Sequence, residues 1–200
     1  MTLRFKNSPF KIKSLVYFLA TCISLSFFSC KNDPDFPETP VIEFDTAFVD
    51  VEIDPDILQE VNYVNVHIKF QDGDGDLGED MESATDDKYQ DFSRLEVGAD
   101  GDTVYNFINY YLSVFRKVGD DYEEIATSID FNKRFDPLID KDELGPIEGV
   151  LEHQFFLSQS SVITGVFNEN DTVRMEVYVV DRSLNVSNTI VTDDIILFKN

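Results

Sequence analysis

Apolar and polar side chains alternate along much of the chain from Val41 onward. The alternation is clearest over residues 64–70, 110–115 and 173–179, where each segment has one apolar and one polar face. A two-residue period predicts β-strands that bury one face. Residues 119–121, Gly-Asp-Asp, predict a tight turn into a further short strand, and the end of the chain predicts a last strand or pair of strands.

The remaining stretches indicate loops rather than helices. Residues 71–91 carry nine acids and one lysine, and residues 132–146 are polar and end in a proline. No run at helical period is longer than two turns, and no internal repeat is present. Residues 41–200 therefore predict a single all-β domain, an antiparallel β-sandwich of seven to nine strands.

The first thirty residues differ in kind from the rest and predict an export signal. A basic start without acids is followed by an apolar run from Leu15 to Phe28 and then by Ser29-Cys30. This order is typical of a cleaved signal peptide over residues 1–29, and the apolar run is short for a membrane span. An uncleaved N-terminal anchor is the alternative. Residues 26–30, Ser-Phe-Phe-Ser-Cys, resemble a lipobox, which implies that Cys30 is the lipidated first residue of the mature protein.

Residues 30–40 predict a flexible tether between the lipid and the domain. Residues 31–40 contain three prolines and three acids without apolar periodicity. The residues behind the cysteine, Lys31-Asn32-Asp33, partly resemble the signal that sends Bacteroidota-type lipoproteins to the outer face of the outer membrane. We therefore expect an outer-membrane protein, exposed on the cell surface, with a periplasm-facing protein as the alternative.

The charge of the chain excludes one class of partner. The sequence has 16 basic and 39 acidic residues, and four of the basic ones leave with the signal, so the mature net charge is 12 − 39 = −27. Such a surface repels phosphate backbones, so we expect no nucleic-acid partner. The excess acid also suits solubility at a cation-rich surface.

One loop has the composition of a metal site. Residues 72–80, Asp-Gly-Asp-Gly-Asp-Leu-Gly-Glu-Asp, directly follow a predicted strand. Calcium takes six to eight oxygen ligands, and aspartates at alternate positions of a glycine-rich turn can aim several carboxylates at one point. The spacing departs from an EF-hand. We predict a calcium site with a backbone carbonyl near Leu77 and four carboxylate ligands: Asp72, Asp74, Asp76 and Asp80. A solvated acidic loop that binds nothing is the alternative.

Other chemistry has little support in the sequence. His67 and His153 lack partners at zinc-ligand spacing, and no Gly-x-Ser-x-Gly elbow is present. Paired carboxylates for glycoside hydrolysis remain open in so acidic a chain, but no pair is singled out. We therefore expect a protein that is not an enzyme.

Two segments carry a resemblance to known proteins. Residues 70–78, Phe-Gln-Asp-Gly-Asp-Gly-Asp-Leu-Gly, resemble a phrase of uncharacterised Bacteroidota-type lipoproteins. Residues 177–188 resemble the penultimate-strand hairpin of bacterial immunoglobulin-like domains, with Ser183-Leu184 in place of the usual Ala-Gly. The resemblance implies an immunoglobulin-like fold and brings no activity with it.

These observations lead to three functional hypotheses. The first is a lipid-anchored, calcium-stabilised binding or structural module that contacts an envelope protein or a glycan. The second is an accessory subunit of an outer-membrane complex without a ligand of its own. The third is a small hydrolase that uses acidic loop residues.

Overall fold

The structure is a computed structural model, and it describes residues 34–56, 58–97, 101 and 103–199. Residues Asp35–Asn200 form one compact unit. The signal peptide, Cys30 and Lys31-Asn32-Asp33 lie outside the described residues, so these predictions stay predictions. The described strands are β1 (Val41–Asp54), β2 (Gln59–Asp72), β3 (Ser93–Val97), β4 (Thr103–Phe107), β5 (Tyr110–Val118), β6 (Asp121–Glu124), β7 (Ile147–Ser158), β8 (Thr172–Val179), β9 (Ile190–Val191) and β10 (Ile195–Ile196).

The helices are short. Two 3₁₀-helices, η1 (Ser83–Thr85) and η2 (Asp87–Phe92), lie between β2 and β3. One α-helix of five residues, α1 (Gln159–Ile163), follows β7. Within the described residues, no helix has the length and apolar character needed to cross a membrane.

The strands form three antiparallel sheets. One has the order β1-β2-β7, and a second has the order β10-β8-β5-β6 with β9 also paired to β8. Strands β3 and β4 pair with each other alone. All strand pairs between named strands are antiparallel. The all-β, antiparallel prediction is confirmed, although the described residues hold ten strands instead of seven to nine.

The two larger sheets share one hydrophobic core. The inward side chains of β2 are Val64, Val66, Ile68 and Phe70, and they belong to the same buried cluster as alternate residues of β5 and β8. In β8 every second residue from Val173 to Val179 is buried, as the alternation predicts. Because the period of a strand is two, the same pattern sends the polar residues of these strands outward.

A second, smaller cluster covers the outer face of the sheet that contains β5 and β8. Tyr89 of η2 stacks on Phe107 of β4 with ring centroids 4.1 Å apart, and both are fully buried. Tyr111 and Tyr178 stack at 4.6 Å and pack against this cluster. The 3₁₀-helices therefore lie in what the sequence predicts as an irregular acidic loop, and η2 packs there against the end of β4.

The sequence analysis did not predict strand β7. His153 lies at one of its buried positions and is only 6% exposed, and its Nε2 atom lies 2.9 Å from the carbonyl oxygen of Phe131. A histidine at an inward position breaks the apolar alternation on which the prediction depends. The hydrogen bond and the neighbouring ring of Tyr110 explain how the core accepts it.

Part of the predicted tether is packed against the domain. The carbonyl of Pro37 accepts a hydrogen bond of 2.7 Å from the backbone N–H of Gly73, and Pro40 is buried. Just beyond, Ile42 forms two hydrogen bonds of 2.9 Å with the side chain of Asn188. The predicted tether is therefore held against the domain at Pro37 and Pro40.

Candidate metal centre

Three of the four predicted ligands come together directly after β2. Asp72 is the last residue of that strand, and Asp74 and Asp76 follow at alternate positions. One carboxylate oxygen of each residue lies within 4.8 Å of those of the other two. A separation of this size allows a single cation to contact all three, since Ca²⁺–O distances are about 2.3–2.6 Å.

Asp72 and Asp76 are buried, Asp74 is half-buried, and each of the three has a carboxylate oxygen without a hydrogen-bond partner among the described residues. Asp72 is fully buried and Asp76 is 6% exposed. The Oδ2 atom of Asp72 accepts a hydrogen bond from the backbone N–H of Leu77 at 3.1 Å, and Oδ2 of Asp76 accepts one from Ser183 Oγ at 2.7 Å. The Oδ1 atoms of Asp72, Asp74 and Asp76 are buried and have no hydrogen-bond partner among the described residues. Buried charged oxygens without partners are costly, so this arrangement requires a cation or a proton.

The electrostatics of the cluster point in the same direction. Burial, followed by the charge of Asp74, raises the pKa of Asp72 to about 7. Burial also raises the pKa of Asp76, although the hydrogen bond from Ser183 opposes the shift. The protein alone therefore disfavours three negative charges here, and a divalent cation would reverse that preference.

Three positions of the loop require glycine because the backbone of another segment lies where a Cβ atom would stand. A Cβ atom on Gly73 would lie 2.3 Å from the carbonyl oxygen of Phe36, and one on Gly75 would lie 2.2 Å from that of Gly145. Gly78 has a φ of +87°, and a Cβ there would lie 2.2 Å from the carbonyl oxygen of Asp136. These contacts hold the loop against other segments, so Asp74 and Asp76 converge on Asp72 although neither lies in a helix or strand.

A distant segment completes the centre. The loop between β8 and β9 provides the Ser183 hydroxyl on Asp76, and the backbone N–H of Arg182 donates to the carbonyl of Asp76 at 3.3 Å. Asp181 is fully buried, and both of its oxygens accept hydrogen bonds from Asn185. Burial raises the pKa of Asp181 to about 6, and the charges of Asp76 and Asp74 add to the shift.

Asp80, the fourth predicted ligand, lies apart from this cluster. Its carboxylate accepts hydrogen bonds from the backbone and side chain of Ser83, at 2.7 and 3.3 Å, and caps the turn that enters η1. Lys141 forms ion pairs with both Asp80 and the neighbouring Glu79. The hydrogen bond from Lys141 lowers the pKa of Asp80 well below its ordinary value. The geometry therefore reduces the ligand set to Asp72, Asp74 and Asp76.

Glu79 belongs to a structural network rather than to the cluster. It is 2% exposed, and its carboxylate accepts hydrogen bonds from Tyr89 and Lys141. Burial opposes its ionisation, but these hydrogen bonds lower the pKa of Glu79 overall.

The predicted backbone ligand is the carbonyl of Leu77. This residue is buried, and its carbonyl accepts a hydrogen bond of 3.4 Å from the backbone N–H of Leu138. A carbonyl has two lone pairs, so this bond leaves one for a cation.

Sequence reasoning missed the contribution of residues 181–183. They follow the acidic loop by about a hundred residues, and no spacing rule connects the two segments. The available signal was the resemblance, since both resembling segments meet at this one centre. Comparisons with protein-family models, with curated proteins and with solved structures gave no match.

Proposed function

We propose that this protein is a lipid-anchored envelope module, non-catalytic, whose immunoglobulin-like β-sandwich is completed by Ca²⁺ at Asp72, Asp74 and Asp76. The observation that carries the proposal is the set of three buried Oδ1 atoms without partners. A cation that contacts one oxygen of each carboxylate would compensate these buried charges. The module then presents its surface to an envelope protein or glycan.

The order of strands supports the immunoglobulin-like part of the proposal. In such domains strands A, B and E share one sheet, and strands C, F and G share the other. Assigning β1, β2 and β7 to A, B and E, and β5 and β8 to C and F, reproduces the observed sheets in chain order. Strands β9 and β10 take the place of G, and β6 adds a strand beside C. The hairpin of β3 and β4 is then an insertion between B and C.

The donor set supports calcium over other metals. All three side chains are carboxylates, which suit hard cations, whereas zinc and copper favour nitrogen and sulfur ligands. The loop is held by backbone contacts at its glycines, and calcium accepts a wider range of ligand geometries than magnesium does. Magnesium demands octahedral geometry and gives up its water reluctantly, so we expect it to bind more weakly.

The same burial argues for a structural role over hydrolysis. Two catalytic carboxylates of a glycosidase must flank a sugar, with ~5–10 Å between them and room for the substrate. Here the oxygens lie within 4.8 Å of one another, and Asp72 and Asp76 are buried. A separation of this size leaves no room for a sugar between the carboxylates, whereas a cation fits.

The location rests on the N-terminal sequence. The signal over residues 1–29 and the lipobox-like Cys30 support an outer-membrane lipoprotein, and Lys31-Asn32-Asp33 support exposure on the cell surface. An accessory subunit of an outer-membrane complex would have the same anchor and the same cation. Pull-down from the native envelope distinguishes a subunit, which co-purifies with fixed partners, from an independent binding module.

Thermal unfolding in chelator and in millimolar calcium tests the cation. At free calcium a hundredfold above the dissociation constant we expect ~2.7 kcal/mol of stabilisation, which raises the melting temperature by several degrees. Asp74→Asn should lose most of this shift, yet melt no lower than wild type in chelator because one repelling charge is gone. Asp80→Asn is the matched control and should keep the shift.

A wild-type protein that melts identically in both buffers would overturn the calcium site. The carboxylates would then share protons, in keeping with the raised pKa of Asp72. Calorimetric titration gives a second reading, with one bound calcium expected per chain. Loss of the shift in Asp80→Asn but not in Asp74→Asn would contradict the ligand assignment.

A further inference from the structure

A cleft of about 340 Å³ lies between Met81, strands β3 and β4, and the loop before β7. Its charged lining residues are Arg94 of β3 and, from the loop before β7, Lys133 and Arg134. In the whole sequence acids outnumber bases, 39 to 16. A cleft whose charged lining is entirely basic is therefore contrary to the composition of the chain.

Both guanidinium groups are held in place by backbone carbonyls. Arg94 Nη2 donates to the carbonyl of Asn132 at 3.2 Å, and Arg134 Nη1 donates to the carbonyl of Glu79. Each also forms an ion pair with an aspartate outside the cleft lining: Asp130 and Asp136. Groups that are already ordered lose little entropy when a ligand binds.

Lys133 is the third basic residue of the cleft. Its backbone N–H and carbonyl form two hydrogen bonds of 2.9 Å with Tyr110, which fix its position beside β5. Its side chain is exposed and forms no ion pair with any described residue. The ammonium group of Lys133 is therefore available to a ligand at the cleft.

The rest of the lining is mixed. Asn106 and Asn132 are the polar side chains, and Met81, Phe107 and Ile108 provide apolar surface. Apolar walls with a few polar groups and a charge are typical of sites for small organic molecules, and the volume lies within the range of such sites. An inorganic anion would leave the apolar wall without a partner.

We infer that this cleft binds a small organic carboxylate. The carboxylate would contact Lys133 and Arg134, and the carbon skeleton would lie against Met81. An Arg–carboxylate contact is charge-assisted and directional, which gives the ligand a fixed orientation. An acidic sugar and a dicarboxylic acid share this chemistry. The inference is independent of the cation, since the cleft lining contains none of Asp72, Asp74 and Asp76.

Calorimetric titration of the full mature chain tests the inference. The probes are glucuronate and succinate, with glucose and inorganic phosphate as controls, each in chelator and in calcium. We expect at least one carboxylate to bind at least tenfold more tightly than glucose and phosphate, and the preferred one identifies the source. Lys133→Gln should weaken that binding about tenfold. Lys69→Gln is the matched control, because Lys69 of β2 is paired with Asp45 of β1 and lines no part of this cleft.

Three results would overturn the inference. One is the absence of saturable binding by either carboxylate in both buffers, and another is equal binding of phosphate. The third is carboxylate binding that survives Lys133→Gln unchanged. Because the titrations are run with and without calcium, failure of the cation site and failure of the carboxylate cleft give separate outcomes.

Discussion

The backbone N–H of Gly73 donates a 2.7 Å hydrogen bond to the carbonyl of Pro37. Gly73 stands between Asp72 and Asp74, two of the proposed cation ligands, and Pro37 lies only seven residues after Cys30. The segment that follows the predicted lipid anchor is therefore bonded directly to the acidic loop. A change in the conformation of this loop should therefore also displace the segment around Pro37.

Replacing Gly73 by alanine should break this relationship. The new Cβ would lie 2.3 Å from the carbonyl oxygen of Phe36, and backbone cannot move aside as a flexible side chain does. We expect a loss of ~1–3 kcal/mol in the free energy of unfolding, as for other forced contacts in packed regions. Urea unfolding measures the loss.

Gly145→Ala is the control for this substitution. A Cβ on Gly145 meets nothing within 4 Å. Its effect on the free energy of unfolding should stay within ~0.5 kcal/mol, as at ordinary surface positions. Equal losses of unfolding free energy in the two variants would mean that the close approach of Gly73 to residues 36 and 37 does not contribute to stability.

Ser183→Ala should weaken calcium binding without removing a ligand. The Ser183 hydroxyl fixes Oδ2 of Asp76 at 2.7 Å and so aims Oδ1 at the cluster. Loss of a residue that orients a metal ligand reduces affinity by about 10–100-fold. Calorimetric titration with calcium measures the change, and Ser183→Thr should restore part of the affinity.

Ser83→Ala serves as the comparison for Ser183. Its hydroxyl bonds Asp80, which lies outside the cluster. Calcium affinity should remain at the wild-type value in this variant. A reduction as large as that of Ser183→Ala would return Asp80 to the ligand set.

The sequence predicted the fold better than it predicted the site, for a physical reason. Strand alternation is a local property, so residues 64–70 and 173–179 reveal their buried faces without tertiary information. The selection of ligands is not local. Asp80 looks equivalent to Asp74 in the sequence. Its ion pair with Lys141, which comes from a distant loop, excludes it from the set of candidate ligands.

The missed elements have a similar explanation. Ser183, the hydrogen-bond donor to Asp76, lies 107 residues further along the chain in the loop between β8 and β9, and a short-range sequence pattern contains no information about that contact. In β7 the buried position is taken by His153, whose polarity hides the strand period. Tertiary hydrogen bonds made both of these possible, and neither could be deduced from spacing.

Acylation of Cys30 is the prediction on which the proposed location depends. Cys30→Ala should abolish incorporation of a fatty-acid analogue and release the protein from the membrane fraction, because the thioether cannot form. Cys22→Ala is the matched control, since that residue lies within the predicted signal and should leave labelling unchanged. Labelling of both variants at the wild-type level would exclude the lipoprotein.

His153 should make the domain sensitive to mild acid. Burial, with the nearby charge of Lys133, lowers the pKa of its imidazole to about 4 in the folded state, against about 6.5 when unfolded. Between these values the unfolded chain binds more protons than the folded one, so stability falls as the pH falls.

This linkage has a defined size and a direct measurement. From pH 7 to pH 5 the wild type should lose ~2 kcal/mol in the free energy of unfolding relative to His153→Gln, which cannot take up the proton. Urea unfolding at both pH values, in chelator, measures the difference. The aspartates of the acidic loop titrate in both proteins, so their contribution cancels in the comparison. Equal losses of unfolding free energy in the two proteins would show that protonation of His153 does not destabilise the folded state. The burial of its ring against Tyr110 would then not contribute to acid sensitivity.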